Sequence, residues 1–320
     1  AQQRFDLLLD ELGDIDEVGG LGVAREPDLR HRPRRAVGMA RLRQVQVLVA
    51  RGNRLDVVNV DAAGRLVRVH AVDHPAFAND VQILVGGAAQ RLSHVMIPKV
   101  ESATNVQRAA EAIDAAGGSK LALHVLIESP AAVSRAFEIA AHPRVQSISF
   151  GLMDFISAHG GAIPSSAMSA SGQFTHPLVQ RAKLEIAAAC HAHGKVPSHC
   201  VVTEFADAGA IENAALTGSQ KLGYTRMWSI HPAQVRPILA AFTPSLQEVT
   251  SAAKIVAIGA DCNWAPASFE SQLHDRASYR YYWQLLERAQ RTGRLAGVSL
   301  PFTVRDFLST PKYVSKQVVH

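Results

Sequence analysis

The chain has 320 residues, is 48% apolar and carries a net charge of +5; it is long enough for one large domain with an appendage, or for two modest ones. No apolar run reaches the roughly 18 residues of a membrane span, and the N-terminal AQQRFDLLLDELGD lacks the basic-then-apolar order of a secretory leader. Cys190, Cys200 and Cys262 are too widely spaced for a disulfide framework or a cysteine zinc site, so a reducing, cytoplasmic setting is expected.

Residues 5–18 are acidic, whereas 25–54 hold nine arginines against two acids. Such a cluster suits a polyanion, but without interleaved aromatics or a recognition helix no nucleic-acid partner is expected. VQVLVA (45–50) and LDVVNV (55–60) read as strands, too close together for a full helix between them. From residue 66 a rhythm sets in. Strand-like runs fall at 66–70, 94–100, 121–128, 147–154, 195–202 and 226–232, with helical patterns at 105–117, 131–142, 178–194 and 207–223. A Gly/Ser-rich loop, 160–177, lengthens one interval. Alternating strand and helix implies parallel pairing. The expected fold is an α/β (β/α)8 TIM barrel with a C-terminal helical lid, its first two units poorly supported by residues 1–65. An open doubly wound sheet lacks its G-x-G-x-x-G loop. The expected division is a diverged or irregular part, 1–65, a barrel core, 66–243, and a helical extension, 244–320. Within the last, LQEVTSAAKIVAIGA and RASYRYYWQLLERAQRTG read as helices flanking the polar DCNWAPASFESQLHD.

Two strands end on acids. HVLIESP delivers Glu128 and SISFGLMDF delivers Asp154, 26 residues later, about one strand–helix–strand repeat. On adjoining parallel strands these carboxylates share one rim. Uncompensated, they repel and one takes up a proton. A hard cation such as Mg²⁺, which commonly uses one or two carboxylates and keeps several waters, removes the conflict. Gly151 allows close approach. Arg68 and Lys99 stand at comparable strand ends, suited to binding a substrate carboxylate or a developing oxyanion; a Schiff-base role for Lys99 is redundant beside a metal. Each of these residues also has an ordinary reading as a helix cap or ion pair. His199 and His231 end strands and could line the pocket.

In order along the chain, RLVRVHAVDHPAFANDV, HVMIPKVES, HVLIES, SISFGLMDF, SIHPAQV, AAFTPS and LHDRASY resemble the HpcH/HpaI aldolase–citrate lyase family, in its citrate lyase β-subunit-like and malyl-CoA lyase branch, over about residues 66–290. The resemblance implies a (β/α)8 barrel with a C-terminal lid, assembled as trimers or hexamers. It implies a Mg²⁺-dependent lyase that makes or breaks a carbon–carbon bond in 3-hydroxyacyl-CoA-type substrates. Residue by residue, it makes Glu128 and Asp154 the metal ligands, Arg68 the arginine on the substrate oxygens, and Asp275 an acid that the lid lends to a neighbouring subunit for the acetyl proton. Members usually open with an LFVPG-like strand and an acidic DLEDAV-like motif; residues 1–65 carry neither, and DVVNVDAAG is a faint echo. An aldolase acting on a free 2-oxo acid and an impaired barrel kept for binding or assembly stay open.

Overall fold

β-Branched runs punctuated by alanine-rich segments form a curled sheet with helices packed on its outer side. The computed structural model describes residues 46–47, 57–61, 64–296 and 298–309. Of residues 1–65 these include only β1 (Gln46–Val47), β2 (Val57–Asp61) and the start of β3 (Gly64–Arg68). The acidic and arginine-rich segments otherwise lie outside the described residues.

β3, β4 (Leu92–Ile97), β5 (Ala122–Ile127), β6 (Val145–Phe150), β7 (Val196–His199) and β8 (Arg226–Ser229) are consecutive parallel neighbours, and β1 joins in parallel beside β8. β2 departs from the expected pattern by pairing antiparallel with β3. Only residues 62 and 63 separate these two strands. So short a link permits a hairpin, whereas a parallel pair needs a crossover of about a dozen residues. The expectation of eight successive strand–helix units is corrected here.

Curvature is visible in the packing. Leu66 of β3, Met96 of β4, Leu126 of β5 and Trp228 of β8 form one buried cluster. β3 and β8 stand five places apart in the strand order, roughly 24 Å in a flat sheet at about 4.8 Å per strand. Their side chains meet only because the sheet curls. The opposite face carries Val67, Val95, Ile97, Val125, Ile127 and Ile148, all buried. Burial on both faces is why the strands read as near-continuous apolar runs.

The helices are α1 (Phe77–Ala88), α2 (Ala103–Ala115), α3 (Pro130–Ser134), α4 (Ala136–Ala141), α5 (Leu152–Ser157), α6 (Pro177–Ala192), α7 (Ala208–Lys221) and α8 (Val235–Phe242). Beyond them, α9 (Leu246–Asp261), α10 (Arg276–Arg291) and α11 (Phe302–Ser309) bury a core of their own around Val249, Val256, Trp264, Tyr279, Trp283 and Leu286. A small hairpin, β9 (Ala267–Phe269) with β10 (Gln272–His274), occupies the polar segment between α9 and α10. Among the described residues no helix is long and apolar enough to cross a membrane.

The interior also fixes two neutral histidines. His124 lies 2.6 Å from Ser147 Oγ and 2.8 Å from Ser149 Oγ, fully buried on the concave face. Burial, then Arg226 and His94, drives its pKa well below 6.5. His199 is depressed likewise by burial and then by Lys183. Below pH 6.5 the unfolded chain protonates both while the folded chain does not, so stability is lost as pH falls from 6.5 towards the folded values. The slope is up to about 1.4 kcal/mol per pH unit for each histidine. Urea unfolding at pH 7 and pH 5 is expected to show this fall, with a shallower slope in His124→Gln; equal stability at the two pH values would contradict it.

Candidate active site

The carboxyl ends of β3 to β6 place Arg68, Lys99, Glu128, Gly151 and Asp154 together. Glu128 follows β5 directly and is only 6% exposed. Ser129 then caps α3, its Oγ accepting from the Ala132 N–H, and Pro130 takes the first helical position. That stop fixes where the strand hands over its acid. Glu128 Oε2 accepts the Lys99 backbone N–H at 3.0 Å. To present that N–H, Lys99 adopts φ 51, a left-handed conformation that costs a non-glycine residue about 1 kcal/mol or more.

Gly151 is required by space. Its N–H continues the ladder to Ile127 O at 2.8 Å. A Cβ on it would stand 2.4 Å from Glu128 Cγ and 2.8 Å from Oε1, so a side chain at position 151 and the present Glu128 rotamer exclude each other. Asp154 lies one turn further on, in the first turn of α5, half-exposed, with Lys99 Nζ 3.4 Å from its Oδ1.

The pair is electrostatically strained. Burial first, and the Asp154 carboxylate second, push the Glu128 pKa up to about 7, against the opposing pull of Arg68 and of the Lys99 N–H and ammonium. This is the mutual repulsion expected of two carboxylates on one rim. Among the described residues no group of three or more His, Cys, Asp or Glu side chains gathers as a metal cage. An oxygen pair with open solvent on one side fits instead a hard cation that keeps waters or substrate oxygens in its remaining positions.

Asp275 has a local role in this chain. It is the N-cap of α10, Oδ1 accepting from the Ala277 and Ser278 N–H groups at 3.0 and 3.1 Å, and Ser278 Oγ answers the Asp275 N–H. The two histidines that could line the pocket have contacts of their own. His231 caps the turn Pro232–Gln234 and packs on Phe205, with ring centres 5.1 Å apart. His199 faces the helices: Ser198 pairs with Ser149 in register, so the strand alternation turns His199 to the other face. There Nε2 lies 3.0 Å from the fully buried Lys183 Nζ, which donates to Gln173 Oε1 at 2.6 Å and stands 4.0 Å over the Phe174 ring. Burial lowers the Lys183 pKa to about 8. This cluster anchors the Gly/Ser-rich loop to α6 and β7.

One pair at the rim escaped the sequence reading. His70, two residues past Arg68, lies with Nδ1 2.5 Å from Asp80 of α1. The strand alternation R-x-H and an acid ten residues on, in the first turn of a helix, are the only signals that could have found it.

A model of the HpcH/HpaI aldolase/citrate lyase family matches residues 28–232 of the chain. The chain belongs to this family. It is 33% identical over 241 residues to the L-malyl-CoA/β-methylmalyl-CoA lyase of Rhodobacter capsulatus, covering 70% of this chain and 76% of that one. To the citrate lyase subunit beta-like protein of Mycobacterium tuberculosis it is 27% identical over 237 residues, covering 74% and 80%. Among solved structures, a citrate lyase from Burkholderia xenovorans superposes with a TM-score of 0.66 at 44% identity, covering 73% of this chain and 74% of that one. The Mycobacterium tuberculosis CitE protein, crystallised with magnesium, acetoacetate and coenzyme A, shares the fold at a TM-score of 0.57 and 24% identity, covering 70% and 78%.

Proposed function

We propose that this member of the HpcH/HpaI aldolase/citrate lyase family is a Mg²⁺-dependent carbon–carbon lyase that cleaves or forms a 3-hydroxyacyl-CoA-type substrate by retro-aldol/Claisen chemistry. The observation that carries the proposal is the buried Glu128 beside Asp154, its pKa raised by burial and then by that neighbour, with two cations alongside. Glu128 and Asp154 would hold Mg²⁺, which when bound acts as Lewis acid and template. Arg68 supplies fixed positive charge where oxyanion character develops. Lys99 has its backbone committed to Glu128 and its ammonium near Asp154, so it adds charge while Gly151 keeps the space clear.

On this reading residues 66–243, with their curled parallel sheet, form the catalytic core and 244–320 its lid. The lid presents Asp275 to a neighbouring copy in a cytoplasmic homo-oligomer, trimer or hexamer, where the carboxyl handles the acetyl proton. A positioned acid or base of this kind contributes about 10²–10⁴-fold.

The test is turnover of malyl-, citramalyl- and citryl-CoA, followed by acetyl-CoA release. At least one is expected to be cleaved, with activity abolished by EDTA and restored by Mg²⁺. Cleavage of a free 2-oxo acid aldol with no acetyl-CoA among the products would overturn the reading, as would turnover indifferent to EDTA.

A further inference from the structure

The metal-and-cation site leaves a buried acid without a part to play. Asp80, 4% exposed in the first turn of α1, turns Oδ2 towards the end of β3. That one oxygen accepts the His70 backbone N–H at 2.8 Å and lies 2.5 Å from His70 Nδ1. An ionised carboxylate can only accept, so Nδ1 carries the hydrogen and a neutral ring has its lone pair on Nε2. The ring is further held by His74, stacked at 4.2 Å with 12° between planes, while Asp73 of the same turn is paired with Arg108 at 2.6 Å. Yet the His70 side chain stays 46% exposed. A buried acid that fixes the ring's position and tautomer, on a side chain that stays almost half exposed, is the arrangement of an oriented base.

Its place in the sheet ties it to the candidate site. The Val69 N–H still bonds to Met96 O at 3.2 Å, so the β3–β4 ladder runs up to His70. His70 therefore lies two residues past Arg68 at the end of β3, the strand whose Arg68 acts on the Glu128 carboxyl.

We propose that His70, oriented by Asp80, is the general base that takes the hydroxyl proton from the 2-hydroxy-acid portion of the substrate. The proposal rests on the lyase reading above. In the cleavage direction the O–H bond breaks and its proton passes to Nε2. The electron pair left on oxygen forms the C=O bond of the 2-oxo acid. The adjacent carbon–carbon bond breaks, and its pair moves into the thioester as an enolate, whose carbon then takes up a proton. Two separate proton sites are needed. Asp275 of the lid serves the enolate, and His70 serves the hydroxyl beside Arg68.

His70→Asn keeps an N–H donor for Asp80 and removes the basic nitrogen. Its kcat is expected to fall about 10²–10⁴-fold with KM changed less than about threefold. The thermal midpoint and the Mg²⁺ titration are expected to match wild type, and the kcat/KM pH profile to differ from it. Added imidazole is expected to restore rate to His70→Ala, which a merely structural role would not allow. Wild-type rate and pH profile in His70→Asn, with wild type active, would overturn the base alone. Wild type cleaving none of malyl-, citramalyl- and citryl-CoA would overturn the lyase reading and this proposal with it.

Discussion

Glu128→Gln is expected to lower kcat/KM by about 10³-fold or more, equivalent to roughly 4 kcal/mol of transition-state stabilisation, while leaving the protein folded and, in EDTA at pH 8, more stable than wild type. The two effects share one cause. Glu128 is buried beside Asp154, and its pKa is raised to about 7 from the ordinary 4.5. Without a cation, the ionised carboxylate is disfavoured in the folded chain relative to the unfolded one. Its cost is absent below the unfolded pKa and fully developed above about pH 7. Glutamine has the same shape, still accepts the Lys99 N–H, and carries no charge to repel Asp154. It also lacks the charge that would hold Mg²⁺. A variant that is inactive yet sturdier identifies an acid kept for chemistry at a cost to the fold. Loss of activity together with lowered stability would point instead to a structural carboxylate.

Gly151→Ala is expected to cost about 10²-fold in kcat/KM, the order of effect that a misplacement of about 1 Å produces in an active site. All the charged groups remain in this variant. The new methyl would collide with Glu128 at 2.4 Å, and the atoms it meets belong to a side chain that can rotate. The backbone at 151, φ −90 and ψ 83, is open to alanine. The fold is expected to survive with a loss of about 1–3 kcal/mol, as for modest overpacking, while the carboxylate pair is pulled out of register. Circular dichroism and the thermal midpoint check the first expectation, steady-state kinetics the second. Wild-type kinetics in Gly151→Ala would show that the present position of Glu128 is immaterial.

The rim was legible because strand ends announce themselves. An apolar run followed by Glu128-Ser129-Pro130 has to stop there, and a 26-residue interval to Asp154 sets the two acids just past the ends of neighbouring strands. Other features needed register, which periodicity does not supply. The run 195–202 leaves His199 free to line the pocket because it gives no sign of which parity faces inward; the pairing of Ser198 with Ser149 decides it. The β9–β10 hairpin was hidden because its turn uses Glu270 and Ser271 at φ 49 and 63, where Asn-Gly would have signalled it. β2 looked like half of a strand–helix unit until its two-residue link to β3 made it a hairpin partner. The capping role of Asp275 could have been read from D-x-x-S ahead of a helical pattern. The His70–Asp80 pair joins a strand end to a helix start across ten residues, a tertiary contact that R-x-H and an acid ten residues on signal only weakly.

A calorimetric Mg²⁺ titration of wild type and Glu128→Gln at pH 8 tests the central claim most directly. The expected result is one binding site per chain in wild type and none in the variant, since Asp154 alone, half-exposed and facing Lys99, is a poor anchor for a cation that dehydrates reluctantly. Equal Mg²⁺ binding by the two proteins would place the metal elsewhere and contradict the account.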